Sequence, residues 1–268
     1  MNTSANQAAR SLENNKYVEL LARLGYAVNG ILHLLIGGIA IGVVTGSGSG
    51  SADQSGALGQ LASTPGGVAV LWVVTVGLFA LALWQVFEAI LVPAQEEKRK
   101  WAHRAVEFGK AVAYVAVGVT AFTFASGGSS SSSGDTQSLS ATVLGAPGGV
   151  LLLTLLGLAV VAIGGYFVFK GVTQKFREDI SIPAKPAGTA VTALGVAGYV
   201  AKGIAIAVVG ILLVVAAFTV DPSQATGLDG ALKSLLELPF GSIILVLVGA
   251  GLIAFGIYSF ARAKYARL

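Results

Sequence analysis

Gly25-Tyr26-Ala27-Val28-Asn29-Gly30-Ile31 reappears in the same chain as Gly198-Tyr199-Val200-Ala201-Lys202-Gly203-Ile204, with a weaker copy at Ala113-Tyr114-Val115-Ala116-Val117-Gly118-Val119. Gly37 and Gly210 then stand seven residues beyond Gly30 and Gly203. Downstream of each copy comes a Pro-x-Gly, at Pro65-Gly66-Gly67, Pro147-Gly148-Gly149 and Pro239-Phe240-Gly241. An aromatic follows each proline at the same distance: Trp84, Tyr166 and Tyr258. Self-similarity at a fixed period marks a repeat architecture. The unit here contains two apolar runs.

Working outward, the apolar runs are about 24–45, 67–91, 108–125, 149–170, 198–220 and 240–261, each near the roughly 20 residues that cross a bilayer core. Hydrophobic residues make up 54% of the 268-residue chain and charged residues 11%, against about 25% charged in an ordinary soluble domain. A soluble globule could not hide that much apolar surface. There is no cysteine, which excludes disulfides, thiolate metal sites and a cysteine nucleophile.

The net charge of +4 would suit nucleic acid, but its placement argues for a membrane. Fifteen of the 17 Lys and Arg fall into four clusters: Arg10 to Arg23, Lys98 to Lys110, Lys170 to Lys185 and Arg262 to Arg267. The segments between paired runs carry one cation, Lys233, with the acids Asp53, Asp135, Asp221, Asp229 and Glu237. By the positive-inside rule the clusters are cytoplasmic. Both termini are then inside, and loops 46–66, 126–148 and 221–239 face out. The first run sits too far from the start, and is too long, for a cleaved signal peptide; it reads as a membrane anchor.

The outer loops share a signature. Gly56-Ala57-Leu58-Gly59-Gln60-Leu61 and Gly230-Ala231-Leu232-Lys233-Ser234-Leu235 each start nine residues before their proline, with Ser138-Leu139-Ser140-Ala141-Thr142-Val143 as the degenerate middle version. Apolar residues three and four apart predict short amphipathic helices in the outer interface, over about 55–63 and 228–238, with the middle one shorter or irregular. Gly46 to Ser51 and Ser129 to Ser133 read as low-complexity spacers.

This G-A-L-x-x-L-x-x-x-P-x-G element between two membrane helices, three times in one chain, resembles the bacterial membrane family called domain of unknown function 1206. The third copy, from Asp221-Pro222 to Phe255-Gly256-Ile257-Tyr258-Ser259-Phe260, is the nearest match, and the middle copy departs by losing the G-A-L triplet. The resemblance covers roughly residues 20–265 and implies fold and topology, not an activity.

A two-helix unit always re-enters from the same side, so the repeats are parallel. The expected fold is therefore all-α and integral to the membrane, with six transmembrane helices as three parallel two-helix repeats around a pseudo-threefold axis. The expected divisions are a cytoplasmic tail 1–18 and repeats at 19–95, 96–178 and 179–268. Small residues, among them Gly30, Gly37, Gly164, Gly203, Gly210 and Gly249, permit the close helix approach by which helices associate in lipid.

Polar residues inside the membrane are functional candidates because burying them is costly. His33 lies about ten residues into the first helix; it is either a titrating or ligand-contacting group, or an imidazole bonded to a neighbouring helix. Lys202, aligned with Asn29 and Val117, is placed to snorkel to the inner interface. Glu19 and Arg23 are spaced for an i,i+4 pair, as are His103 and Glu107. Glu19, Glu107 and Thr192 are repeat equivalents; so are Glu88, Lys170 and Arg262, which could line an inner vestibule. The single histidine at membrane depth gives no haem-ligand pair, and no catalytic or phosphate-loop motif is present. No metal or cofactor is expected, and the chain is not expected to be an enzyme. The functional expectation is an accessory or scaffold protein that packs against lipids or another membrane complex and binds no nucleic acid. The alternatives are a conduit for a small solute or ion, and a binder of lipid or another hydrophobic ligand.

Overall fold

The computed structural model describes residues 16–47, 50–91, 97–182, 184 and 186–266. Most of the expected N-terminal tail, residues 1–15, lies outside that set. The elements are α1 (Lys16–Thr45), α2 (Gln54–Ala62), α3 (Gly67–Leu91), α4 (Glu97–Ala125), α5 (Ser132–Leu144), α6 (Gly149–Val172), α7 (Ala187–Thr219), α8 (Gly227–Ser234) and α9 (Gly241–Tyr265). Short 3-10 turns lie at Lys175–Asp179, Pro222–Gln224 and Leu235–Glu237. All six apolar runs of the sequence are helical. Four helices are long and apolar enough among the described residues to cross a membrane: Arg23–Thr45, Gly149–Val172, Ala187–Thr219 and Gly241–Tyr265. In α3 and α4 the apolar stretches are shorter, Gly67–Leu83 and Ala111–Ala125.

The Pro-x-Gly motif is a turn that launches the second helix of each repeat. The motif glycine N–H bonds the carbonyl of the residue before the proline, Gly67 to Thr64 (2.9 Å), Gly149 to Ala146 (2.9 Å) and Gly241 to Leu238 (2.8 Å). Between them the residue after proline is left-handed, with φ +77° at Gly66, +76° at Gly148 and +61° at Phe240. Proline second and a positive φ third is the pattern of a type II turn. The final glycine is required by space, because a β-carbon at Gly67, Gly149 or Gly241 would strike the carbonyl of Leu61, Val143 or Leu235.

The outer helices form at the expected places in the first and third copies, α2 at 54–62 and α8 at 227–234. Leu58, Leu232 and Leu235 are buried and Leu61 half-buried. The middle copy differs from expectation: α5 is a regular helix of 13 residues. The serine tract is its start signal rather than slack. The Ser131 hydroxyl caps the helix by accepting from the Gly134 N–H (3.2 Å), a favoured N-cap arrangement.

The described residues fold into two compact units, one drawn from 16–25 and 58–130, the other from 26–57 and 131–266. In the second unit, glycines set the helix crossings. A β-carbon on Gly203 of α7 would stand 2.6 Å from the Gly164 carbonyl oxygen of α6, and one on Gly210 2.7 Å from that of Gly157. The α1–α9 crossing repeats this: a β-carbon on Gly30 would lie 2.9 Å from the Gly256 oxygen, and one on Gly37 2.5 Å from that of Gly249. Each crossing thus uses two glycines seven apart on both helices. In the first unit, α3 packs on α4 with Thr75, Ala82 and Ala125 buried. Gly118 there has room for a β-carbon, 3.5 Å from Leu78 and Phe79. All three pairs join the second helix of one copy to the first helix of another.

Hydrogen bonds link the outer segments of the second unit in cyclic order. Asp229 Oδ1, from copy three, accepts the Ala52 N–H ahead of α2 (2.7 Å). Ser55 Oγ, from copy one, accepts the Ser132 N–H at the start of α5 (3.2 Å). Gln137 Nε2, from copy two, donates to the Ser223 carbonyl ahead of α8 (3.3 Å). Ser55, Gln137 and Asp229 each stand ten residues before their proline.

Candidate functional site

One group of polar residues of the second unit gathers among α1, α6, α7 and α9, under a strap that follows α6. Gln174 adopts a left-handed φ of +57°, which turns the chain off the helix into the 3-10 turn at Lys175–Asp179. The strap is held to the end of α9 by an antiparallel bridge between Ile180 and Ala266 and by the Ser181 N–H bonded to the Tyr265 carbonyl (2.8 Å). Its anchor is Phe176, fully buried. That ring stacks on Tyr199 at 5.3 Å and meets Tyr258 edge-on at 5.3 Å. Gly195 of α7 leaves the space the ring occupies.

Asp179 on the strap is the acid that joins the cluster. Its Oδ2 lies 2.7 Å from Lys170 Nζ and 3.6 Å from Arg262 Nη2. Arg262 also donates to the Tyr199 hydroxyl (3.4 Å) and lies over the Tyr26 ring at 4.4 Å. Thus two of the three equivalent inner charges, Lys170 and Arg262, are brought together by an aspartate that sequence reasoning passed over. The signal was the acidic pair Glu178-Asp179 in a loop that also carries Lys175, Arg177 and Lys185. The side chain of the third, Glu88, lies outside the described residues, as do those of Glu19, His103 and Glu107. Arg23 is half-buried on α1 and engaged by neighbours.

His33 and Lys202 meet the same ring. The His33 imidazole is nearly buried and lies 4.7 Å from Phe255. Its Nδ1–H donates to the Asn29 carbonyl one turn back on its own helix (2.8 Å), not to an adjacent helix. Asn29 in turn donates to Ser259 Oγ on α9 (3.3 Å). The Lys202 ammonium sits 4.4 Å from the centre of Phe255 and 5.3 Å from that of Phe167. A desolvated cation–π contact contributes about 2 kcal/mol, whereas withdrawing an ammonium from water costs several. The rings hold Lys202 without compensating its charge. Tyr258, the aromatic that follows Pro239 in the third copy, is fully buried and packs with Tyr199 and Phe255.

A groove of about 730 Å³ opens beside this cluster, between the strap and the first turns of α7. Gln174, Arg177, Thr189 and Thr192 supply its polar lining and Ile182 and Val196 its apolar wall.

No solved structure matches the chain. The uncharacterized protein YxxB of Bacillus subtilis (strain 168) is similar, 31% identical over 94% of this chain and 93% of its own. The Domain of Unknown Function (DUF1206) matches at residues 24–91, 107–174 and 197–266, and these are the three two-helix repeats with their Pro-x-Gly turns and outer helices. The chain belongs to the DUF1206 family.

Proposed function

We propose that this protein is a non-enzymatic scaffold of the bacterial plasma membrane, packing against lipids or another membrane complex. Its six long helices cross the bilayer as three parallel repeats around a pseudo-threefold axis, with both termini cytoplasmic. The cyclic hydrogen bonds among the outer segments support the axis, as does the recurring pairing of second with first helices. The basic clusters support the orientation. The observation that carries the scaffold reading is closure: the α6–α7 and α1–α9 seams meet at backbone distance, and Phe176 fills the inner end. Seams this tight make these four helices a rigid surface, as docking on a partner requires.

Because the chain has no cysteine, single substitutions report topology directly. Ser129→Cys and Ser223→Cys should label from outside, and Glu178→Cys only after the membrane is opened. Purified protein in vesicles should pass protons and small ions no faster than empty vesicles. Photo-crosslinking from Val76, exposed on α3, should join the protein in cells to one discrete membrane partner. A proton flux abolished by His33→Leu would replace the scaffold with a conduit.

A further inference from the structure

The inner cluster contains more donors than it can satisfy. Lys202 has its two rings and, among the described residues, no hydrogen-bond acceptor. The Arg262 Nε–H is buried without a partner, and so is the hydroxyl of the fully buried Tyr258. These groups share the seam between α7 and α9: Lys202 lies one turn from Tyr199, and Phe255, Tyr258 and Arg262 follow at helical spacing on α9. The charges are Lys170, Lys202 and Arg262 against Asp179, an excess of two positives. Buried charges persist when they are paired and hydrogen-bonded, and every unmet group here can donate. An anion would accept from all of them at once.

We propose that this seam binds a phosphate group, with Lys202 and Arg262 supplying the charge and Tyr258 a neutral donor. Arginine and lysine are suited to phosphate as fork donor and point charge. The position, at the inner ends of helices that are apolar further out, fits an acidic phospholipid headgroup, and the neighbouring groove has the mixed polar and apolar lining an amphiphile needs. A soluble phosphate offers the same chemistry. Asp179 competes for Lys170 and Arg262 from the strap side, which leaves Lys202 as the deciding cation. This site goes beyond the scaffold reading and stands or falls separately from it.

The test is thermal melting of protein stripped of lipid in a neutral detergent, with phosphatidylglycerol, phosphatidylcholine or inorganic phosphate added at matched concentration. Phosphatidylglycerol at about a hundredfold its Kd should raise Tm by about 5–10 °C, with phosphatidylcholine giving no comparable rise. An equal rise with inorganic phosphate would support the site and assign it to a soluble anion. Lys202→Met should abolish the rise and Lys202→Arg keep it. No rise with either ligand, or a rise that Lys202→Met leaves intact, overturns the proposal. Should Lys202→Met fail to fold, native mass spectrometry of the wild-type protein from mild detergent decides: bound phospholipid or phosphate is expected, and its absence overturns the site.

Discussion

The α6–α7 crossing and the α3–α4 pair solve the same packing problem with different residues. In the first, Gly157 and Gly164 face Gly210 and Gly203 so closely that no β-carbon fits. In the second, the positions at the same distance after the proline hold Thr75 and Ala82, and the facing helix offers Gly118 and Ala125. Small residues allow helices to associate in lipid, where no hydrophobic force draws them together. The comparison teaches that the repeat preserves which positions face a partner, while the side chains there set how near the partner comes. Four helices of the second unit take part in glycine crossings. The α3–α4 pair of the first does not.

The largest expected effect tests the crossing itself. Gly203→Ala should destabilise the protein by about 3 kcal/mol, because backbone, not a flexible side chain, blocks the new methyl; a thermal melt in detergent would check this. An unchanged melt would mean that α6 and α7 are not in contact. Next come the turns that launch the paired helices. Phe240 holds a left-handed conformation that glycine holds in the other two copies, so Phe240→Gly should stabilise by about 1 kcal/mol and Gly148→Ala should cost about as much. Opposite signs at equivalent positions are the required result. Gly118→Ala should be tolerated, or gain up to about 1 kcal/mol from helix propensity, since its β-carbon meets neighbours at ordinary distance. A large loss there would erase the distinction between the two seams.

The smallest effect concerns the outer turn before α8. Bonds from Ser223 and Gln224 hold the Asp221 carboxyl below its usual range. A depressed acid stabilises the fold above its unfolded pKa, and that contribution is lost as pH falls through the lower folded value. Asp221→Asn should therefore remove a slight acid sensitivity, seen below about pH 4 as faster amide exchange at 223–225 in the wild type only.

Much of the architecture was legible from periodicity. The equal spacing of each proline, its glycine and its aromatic announced three hairpins, and the G-A-L triplets located α2 and the start of α8 within one residue, while a 3-10 turn takes the place of the expected last turn of α8. A turn is a local affair: proline, a positive φ and a glycine without room for a β-carbon lie within three positions, so the chain states them outright. Polar chemistry was less legible. His33 and Lys202 stood out because their own helices are apolar, yet nothing in their spacing revealed that both meet Phe255. Asp179 looked like one more loop acid until the strap folded it onto Lys170 and Arg262. The serine run before α5 looked like slack until Ser131 capped a helix.

What the chain carries in plain view is its set of short-range preferences: which segments are apolar, which residues turn, which sites are too crowded for a side chain. Those depend on neighbours in sequence and on the bilayer as solvent. Which glycine meets which, and which cations share one carboxylate, depends on residues as far apart as Gly30 and Gly256. Such pairings come from helices choosing partners, and that choice is made by shape over whole faces. Only the folded bundle assembles the donor-rich seam between α7 and α9, because its members are individually ordinary and their excess of charge exists only once they are together.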